Sequence, residues 1–426
     1  MPERALSMTV GIVGAGVTGL ALTHRLADRD TDSVAFEASD EPGGVVRSET
    51  EDGRVLERGP QRTRLTPGIE SLVDDVGLRG DMLTADPELP MYVYANGRLG
   101  VVPFSVRKFL TTDLLSWRGK LRVLAEPLTA QGHENETAAH LFRRKFGDEA
   151  YENFIGPLFG GIYGSDPAEM PAGYAPSPIL DLERRSGSLL RPAIETAFDN
   201  ESKPPISFTD GMQALPRALH EEHADRVRLD TPVTAVREVE DGYRIETEAG
   251  AEPVDDVVLT TPADATADIL DELVPDAAAR LRRLNYNPLA LVYLDADHAR
   301  EGFGYQVRRE EGLRTLGVSW NASLFDRDGV HTAFLGGMND SEILDESDDF
   351  LGTVASEEFR QVMGVESDVI DVVRLDRGFP AWDRSWRHLD DLELPDGVHL
   401  ATNYTARMGL PGRIREAASL ADELSD

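Results

Sequence analysis

The chain has 426 residues, enough for two or three domains, and carries 77 acidic against 43 basic side chains, a formal charge of −34. That charge excludes nucleic acid as a partner and turns attention to small-molecule ligands, while the absence of cysteine excludes disulfides, thiolate metal sites and a cysteine nucleophile. The basic residues include only four lysines, Lys108, Lys120, Lys145 and Lys203, an acid-rich and lysine-poor balance that points to a halophilic source.

In chain order, "TVGIV" at 9–13 predicts a buried strand, residues 17–27 a helix with apolar residues at helical spacing, and 33–37 a second strand. This βαβ unit encloses Gly14-x-Gly16-x-x-Gly19, and an acid, Glu37, closes the second strand. Glycines in that order permit a tight turn, close approach of backbone to a pyrophosphate and close helix-to-strand packing, and a carboxylate in that place accepts ribose hydroxyls. Paired glycines follow at Gly43 and Gly44, then Arg47, then Glu57-x-Gly59-Pro60.

From about 101 to 190 the pattern is mostly helical, as in "SVRKFLTTDLLSWRGKLRVLAEPL" and "FRRKFGDEAYENFIGPLFGGIYGSDPAEM". A proline-rich linker near Lys203 leads into alternating strands such as "VRLDTPVTAV", and 284–376 is again strand-rich. A strand, a glycine loop and a closing helix, "GVHLATNYTARMGLPGRIREAASLADEL", complete the chain. The expected class is α/β in the broad, multi-domain α+β sense. A Rossmann-like nucleotide-binding domain spans 8–85, 200–268 and 392–426, a strand-rich substrate domain spans 86–100 and 269–391, and a helical domain is inserted at 101–199.

The combined fingerprint resembles the superfamily of flavin-containing amine oxidases and protoporphyrinogen oxidases, which extends the nucleotide motif with GG-x-x-R and E-x-GP segments. The resemblance implies non-covalent FAD held by Gly14, Ala15, Gly16, Val17, Thr18, Gly19, Glu37, Ala38, Gly43, Gly44, Val45, Arg47, Gly59, Pro60, Gln61 and Arg62. It also implies an adenine-side contact at Val233 and a pyrimidine-side loop at Asn403, Met408, Gly409 and Leu410. Arg407 stands where the family often has glycine, and Gly412 replaces a commonly polar residue.

The segment "P-x-x-x-G-x-Y-x-x-D-P" within 157–167 is similar to the protoporphyrinogen oxidase signature. It implies oxidation of protoporphyrinogen IX or coproporphyrinogen III to the porphyrin in haem biosynthesis, by hydride transfer to flavin N5 with O2 as acceptor. No catalytic side chain is assigned. Arginines able to pair with propionates are Arg64, Arg98 and Arg107. An amine oxidase or polyene desaturase is the alternative enzyme, disfavoured because no lysine follows Lys203 where amine-oxidising relatives commonly carry one. A flavin- or porphyrin-binding protein without catalysis is the other alternative.

No metal site is expected: His220 and His223 lack the zinc-protease spacing and read as a solvated helix face. No apolar run reaches the about 18 residues of a membrane span, so the expected location is the cytoplasm, with peripheral membrane contact as the family implies. Phe104, Phe109, Leu110, Leu114, Phe154, Leu158 and Phe159, beside Arg107 and Lys108, form either an exposed apolar patch or the packing of the inserted helices.

Overall fold

The protein is described by a computed structural model covering residues 8–174, 179–192, 203–297, 300–327, 329–405 and 409–425. The chain divides into two compact units, one formed by 1–83, 205–284 and 387–426, the other by 84–204 and 285–386.

In the first unit five parallel strands run in the order Val227–Arg228, Asp32–Phe36, Thr9–Val13, Asp256–Leu259, Val398–Leu400. Alternation along the central strands sends Val10, Ile12 and Val258 to one face and Val13, Val257 and Leu259 to the other. The first face is covered by the helices Val17–Ala27 and Leu410–Ser425, through Leu20, Ala21, Ala417 and Ala421. The second is covered by an antiparallel three-stranded sheet, Val233–Val239, Gly242–Thr247 and Gly250–Val254, which contributes Val236 and Ile245. Gly11 belongs to that second face, and a Cβ there would fall 2.3 Å from the Ile245 side chain.

The second unit is built on a seven-stranded sheet in the order Asp368–Pro380, Tyr286–Asp295, Val330–Gly336, Thr315–Ser319, Gly304–Val307, Met91–Ala95, Arg98–Val101. Only the Gly304–Val307 and Met91–Ala95 pair is parallel. Its core gathers Tyr92, Tyr305 and Trp320 against the helix Asp348–Met363.

The expected helical segment is present as the helices Val106–Thr111, Trp117–Leu124, Ala138–Phe146, Gly156–Tyr163 and Ile179–Ser186, with a π-helical turn at Tyr151–Ile155. It shares one compact unit with the seven-stranded sheet instead of standing as a domain of its own, because Leu114, Leu158 and Phe154 pack onto Val93 and Ala95 of that sheet. Residues 269–284 and 387–391, expected in the substrate domain, belong to the first unit.

Candidate functional site

The strand Thr9–Val13 ends where Gly14 adopts φ +104°, a left-handed turn that glycine makes without strain. The helix Val17–Ala27 then starts directly after Gly16, with no side-chain cap and no acid in its first turn, so its leading amides are left for an anion. A Cβ on Gly19 would sit 2.0 Å from the Gly14 carbonyl oxygen, which is why helix and strand can close this tightly. Gly16 differs: a Cβ there would meet nothing nearer than 3.9 Å, so its edge opens onto free space beside the backbone of Gly43 and Gly44.

The second glycine loop meets the first. The Gly43 amide donates to the Ala15 carbonyl at 2.9 Å, Gly16 and Gly43 form a parallel bridge, and Gly43 and Gly44 take φ +118° and +61°. Glu37, at the end of the neighbouring strand, accepts from the Ala15 amide at 2.8 Å and from the Ser39 amide and hydroxyl at 3.1 and 2.9 Å. A carboxylate offers about four acceptor directions, so one remains for a ribose hydroxyl.

Sequence reasoning passed over what holds these loops. Glu57 is fully buried and accepts from the Ser48 hydroxyl at 2.6 Å, from the Met212 amide at 3.0 Å and from the Ser207 hydroxyl at 3.3 Å. Gln213 extends the network: its amide donates to Ser48 Oγ at 3.1 Å, its side-chain nitrogen to Glu41 at 2.9 Å and to the Pro42 carbonyl at 3.2 Å. The glutamate of E-x-GP is therefore a strut beneath the Gly43 loop. An acid at an inward strand position, 54–57, was the available signal.

Beyond it, Gly59 leaves no room for a side chain, since a Cβ would lie 1.9 Å from the Val45 carbonyl oxygen, and Gln61 caps the Glu57 and Gly59 carbonyls at 3.0 and 2.9 Å. The Arg62 guanidinium is enclosed by protein although part of the residue reaches solvent. Desolvation lowers its pKa to about 10, and the like charge of Arg64 adds to the effect. The Gly59–Arg64 loop thus carries positive potential. Arg47 is half-buried, whereas Ala38 and Val45 are exposed. Val233 opens the strand Val233–Val239, and Leu410 opens the closing helix, next to Gly409 at φ +96°. Asn403 precedes that loop, and Met408 lies outside the described residues.

Two glycine loops, an uncapped helix start, an acid at the end of the second strand and open space at Gly16 are a donor set that fits a dinucleotide diphosphate. The sequence profile of the flavin containing amine oxidoreductases matches residues 17–423. The chain belongs to that family. It is an FAD-dependent oxidoreductase.

Among curated relatives of this flavin oxidoreductase, protoporphyrinogen oxidase 1 of the Arabidopsis thaliana chloroplast is 27% identical, over 96% of this chain and 86% of its own. Coproporphyrinogen III oxidase of Staphylococcus aureus is 25% identical, over 98% and 97%. The fold is shared with a candidate protoporphyrinogen oxidase from Exiguobacterium sp. 255-15, at TM-score 0.79 and 24% identity over 98% of this chain and 99% of that one. It is also shared with putrescine oxidase, at TM-score 0.76 and 19% identity over 98% and 99%.

The three arginines expected at the substrate do not form one cluster within a unit: Arg64 belongs to the first, Arg98 and Arg107 to the second. Arg98 pairs with Asp113 at 3.4 Å, while Arg107 is exposed in the first turn of the helix Val106–Thr111. The expected apolar patch separates. Leu114 and Leu158 are buried, Phe109, Phe154 and Phe159 are partly buried in packing, and only Phe104 and Leu110 are strongly exposed.

The exposed apolar surface continues elsewhere. Trp117, Leu121 and Leu124 are 73, 66 and 53% exposed on the helix Trp117–Leu124, and Leu128 in the turn after it is 89% exposed, while Lys120 of that helix is buried and donates to the Leu110 carbonyl at 2.9 Å. Among the described residues no helix is long and apolar enough to cross a membrane. His223 is half-buried rather than on a solvated face: its Nε2 lies 2.9 Å from Nδ1 of the buried His24, whose Nε2 faces Asp75 at 3.3 Å. Arg25 donates to Asp75 and Asp28 at 3.1 Å each, supplying the positive charge that these carboxylates need.

Proposed function

We propose that the protein oxidises a porphyrinogen, protoporphyrinogen IX or coproporphyrinogen III, to the corresponding porphyrin in haem biosynthesis, with O2 as electron acceptor. The observation that carries this reading is that similarity to proteins named protoporphyrinogen and coproporphyrinogen III oxidase runs through nearly the whole of this chain and most of theirs. When bound, FAD supplies hydride acceptance at N5, and three rounds remove the six electrons by which porphyrinogen and porphyrin differ.

The chain's own part is to bind, orient and set charge. The start of the helix Val17–Ala27 and the Gly16–Gly44 edge take the diphosphate, Glu37 takes a ribose hydroxyl, and Glu57 keeps the second glycine loop in register. Arg64, Arg98 and Arg107 are positive groups suited to propionates, and Arg98 also pairs with Asp113.

Peripheral contact with an anionic membrane belongs to the same reading. It is supported by the exposed Trp117, Leu121, Leu124 and Leu128, and by a segment 104–128 that holds five basic residues (Arg107, Lys108, Arg118, Lys120, Arg122) against two acids (Asp113, Glu126), +3 in a chain of −34. A cytoplasmic location and a high-salt source complete the proposal.

The test is anaerobic mixing of purified holoprotein with each porphyrinogen in turn, following the flavin absorbance and porphyrin formation. Bleaching with at least one porphyrinogen, and about three peroxides per porphyrin once air is admitted, is expected. Bleaching by amines alone would move the protein to amine oxidation, and no bleaching by either class would leave a binding protein.

A further inference from the structure

The helix Leu410–Ser425 opens with a residue that helix electrostatics disfavour. Arg413 lies in its first turn, where unpaired amides already concentrate positive charge, and is only 6% exposed. Its ion-pair partner, Glu416, follows three residues later. That order, cation before anion, opposes the macrodipole and is the weaker arrangement for helix stability. The helix's own electrostatics therefore do not account for a buried arginine in this place.

The pair lies against the loop that precedes the helix. Glu416 accepts from the Thr405 hydroxyl at 2.8 Å, Thr405 Oγ1 accepts from the Thr402 amide at 2.8 Å, and the Tyr404 hydroxyl donates to Thr266 Oγ1 at 2.9 Å. Desolvation raises the Glu416 pKa, opposed by Arg413 and by the Thr405 hydroxyl. Both charges are thus held in a partly dehydrated setting, where they act on neighbours more strongly than they would in water.

We propose that Arg413 and Glu416 are an internal charge pair that sets the reduction potential of the FAD bound at the start of this helix. The inference rests on the assignment of Asn403, Gly409 and Leu410 to the pyrimidine side of the cofactor. Two-electron reduction places negative charge on that side, so Arg413 favours the reduced form and Glu416 moderates it. Both act as positioning residues: neither is assigned to the reacting atoms.

The experiment is spectroelectrochemical titration of FAD-loaded wild type, Glu416→Gln, Arg413→Gln and the double variant. Glu416→Gln keeps an acceptor for Thr405 but removes the negative charge beside Arg413, so the reduced-to-oxidised ratio at fixed potential should rise about tenfold, roughly +30 mV for a two-electron couple. Arg413→Gln should shift the potential by a similar amount in the opposite direction, and the double variant should return towards wild type. Should Arg413→Gln fail to fold, Arg413→Lys provides the second measurement and should keep the wild-type potential. Shifts of the same sign in Glu416→Gln and Arg413→Gln, or no shift in Glu416→Gln that retains FAD, would overturn the proposal. Wild type purified without any flavin would instead refute the cofactor assignment, and that is read before a variant is made.

Discussion

The Glu37 carboxylate accepts a hydrogen bond from the Ala15 amide at 2.8 Å, so the acid that ends one strand also fixes the turn that ends its neighbour. A single side chain thereby shapes the glycine loop and presents an oxygen to a ribose. Glu37→Ala should weaken FAD binding about 10- to 100-fold, the range for losing hydrogen bonds to a charged group. Gly16→Val should be more severe, because its branches would enter the space that the diphosphate needs. Flavin released on heating, measured against protein, checks both, and full occupancy in purified Gly16→Val would refute the cradle.

The βαβ unit was readable because its information is local: the glycine spacing, the apolar helix face and Glu37 all fall within about thirty residues. The placement of the helical segment was not, since the strand Met91–Ala95 finds its partner at Gly304–Val307, and no composition shift marks a pairing across two hundred residues. The outer face of the helix Trp117–Leu124 was not read from the sequence for another reason. Val123 is buried while Trp117, Leu121 and Leu124 are exposed, and all four are apolar. Only packing separates them. Arg413 and Glu416 passed unnoticed because the pattern of the closing helix is otherwise ordinary.

Acid should unfasten the helical segment through Glu126. This residue and Glu183 are buried on either side of Lys145, the Glu126 to Lys145 distance being 3.2 Å, and Glu126 also accepts from Ser188 and from the Leu189 amide at 3.1 Å. Desolvation raises the Glu126 pKa, but the Ser188, Leu189 and Lys145 contacts outweigh it and hold the carboxyl below its ordinary value. A lowered folded-state pKa gives stability that is present above the unfolded value and lost as pH falls through the folded one. Because Lys145 keeps Glu183, Glu126→Gln should cost about 1.5 to 3 kcal/mol at pH 7, the range for losing hydrogen bonds to a charged group, and the difference from wild type should shrink towards pH 3. Urea unfolding at both pH values decides it, and an equal difference at the two would exclude the charge as its source.

Salt should stabilise the protein steeply. Several arginines are each committed to two carboxylates, as Arg79 is to Glu70 and Asp74 at 2.9 and 2.6 Å and Arg282 to Asp268 and Asp271 at 2.9 and 2.5 Å. Even with such sharing, 43 basic residues leave a large surplus among 77 acids. Repulsion among them reaches about 30 Å at 0.01 M ionic strength and about 3 Å at 1 M. The melting temperature should rise continuously from dilute buffer to molar KCl, and a flat profile would remove the case for a high-salt source.

The last expectation concerns the outward face of the helix Trp117–Leu124. An ordinary surface helix turns its lysines to water and its leucines inward, yet here Lys120 is buried and Trp117, Leu121 and Leu124 are exposed, followed by Leu128. Because none of the four is buried, replacing Trp117 and Leu121 by Ser should change unfolding free energy by less than about 1 kcal/mol. The same replacement should lower partition onto vesicles containing anionic lipid about tenfold. Binding of wild type should fall with added salt, since Arg107, Lys108, Arg118 and Arg122 reach solvent in this segment against Asp113 alone and are open to screening. Measuring sedimentation with vesicles at low and high KCl, alongside urea unfolding, separates the outcomes. Unchanged vesicle binding in the folded variant would show that this face does not meet the membrane, and loss of folding would show that the helix is held by contacts its outer residues share.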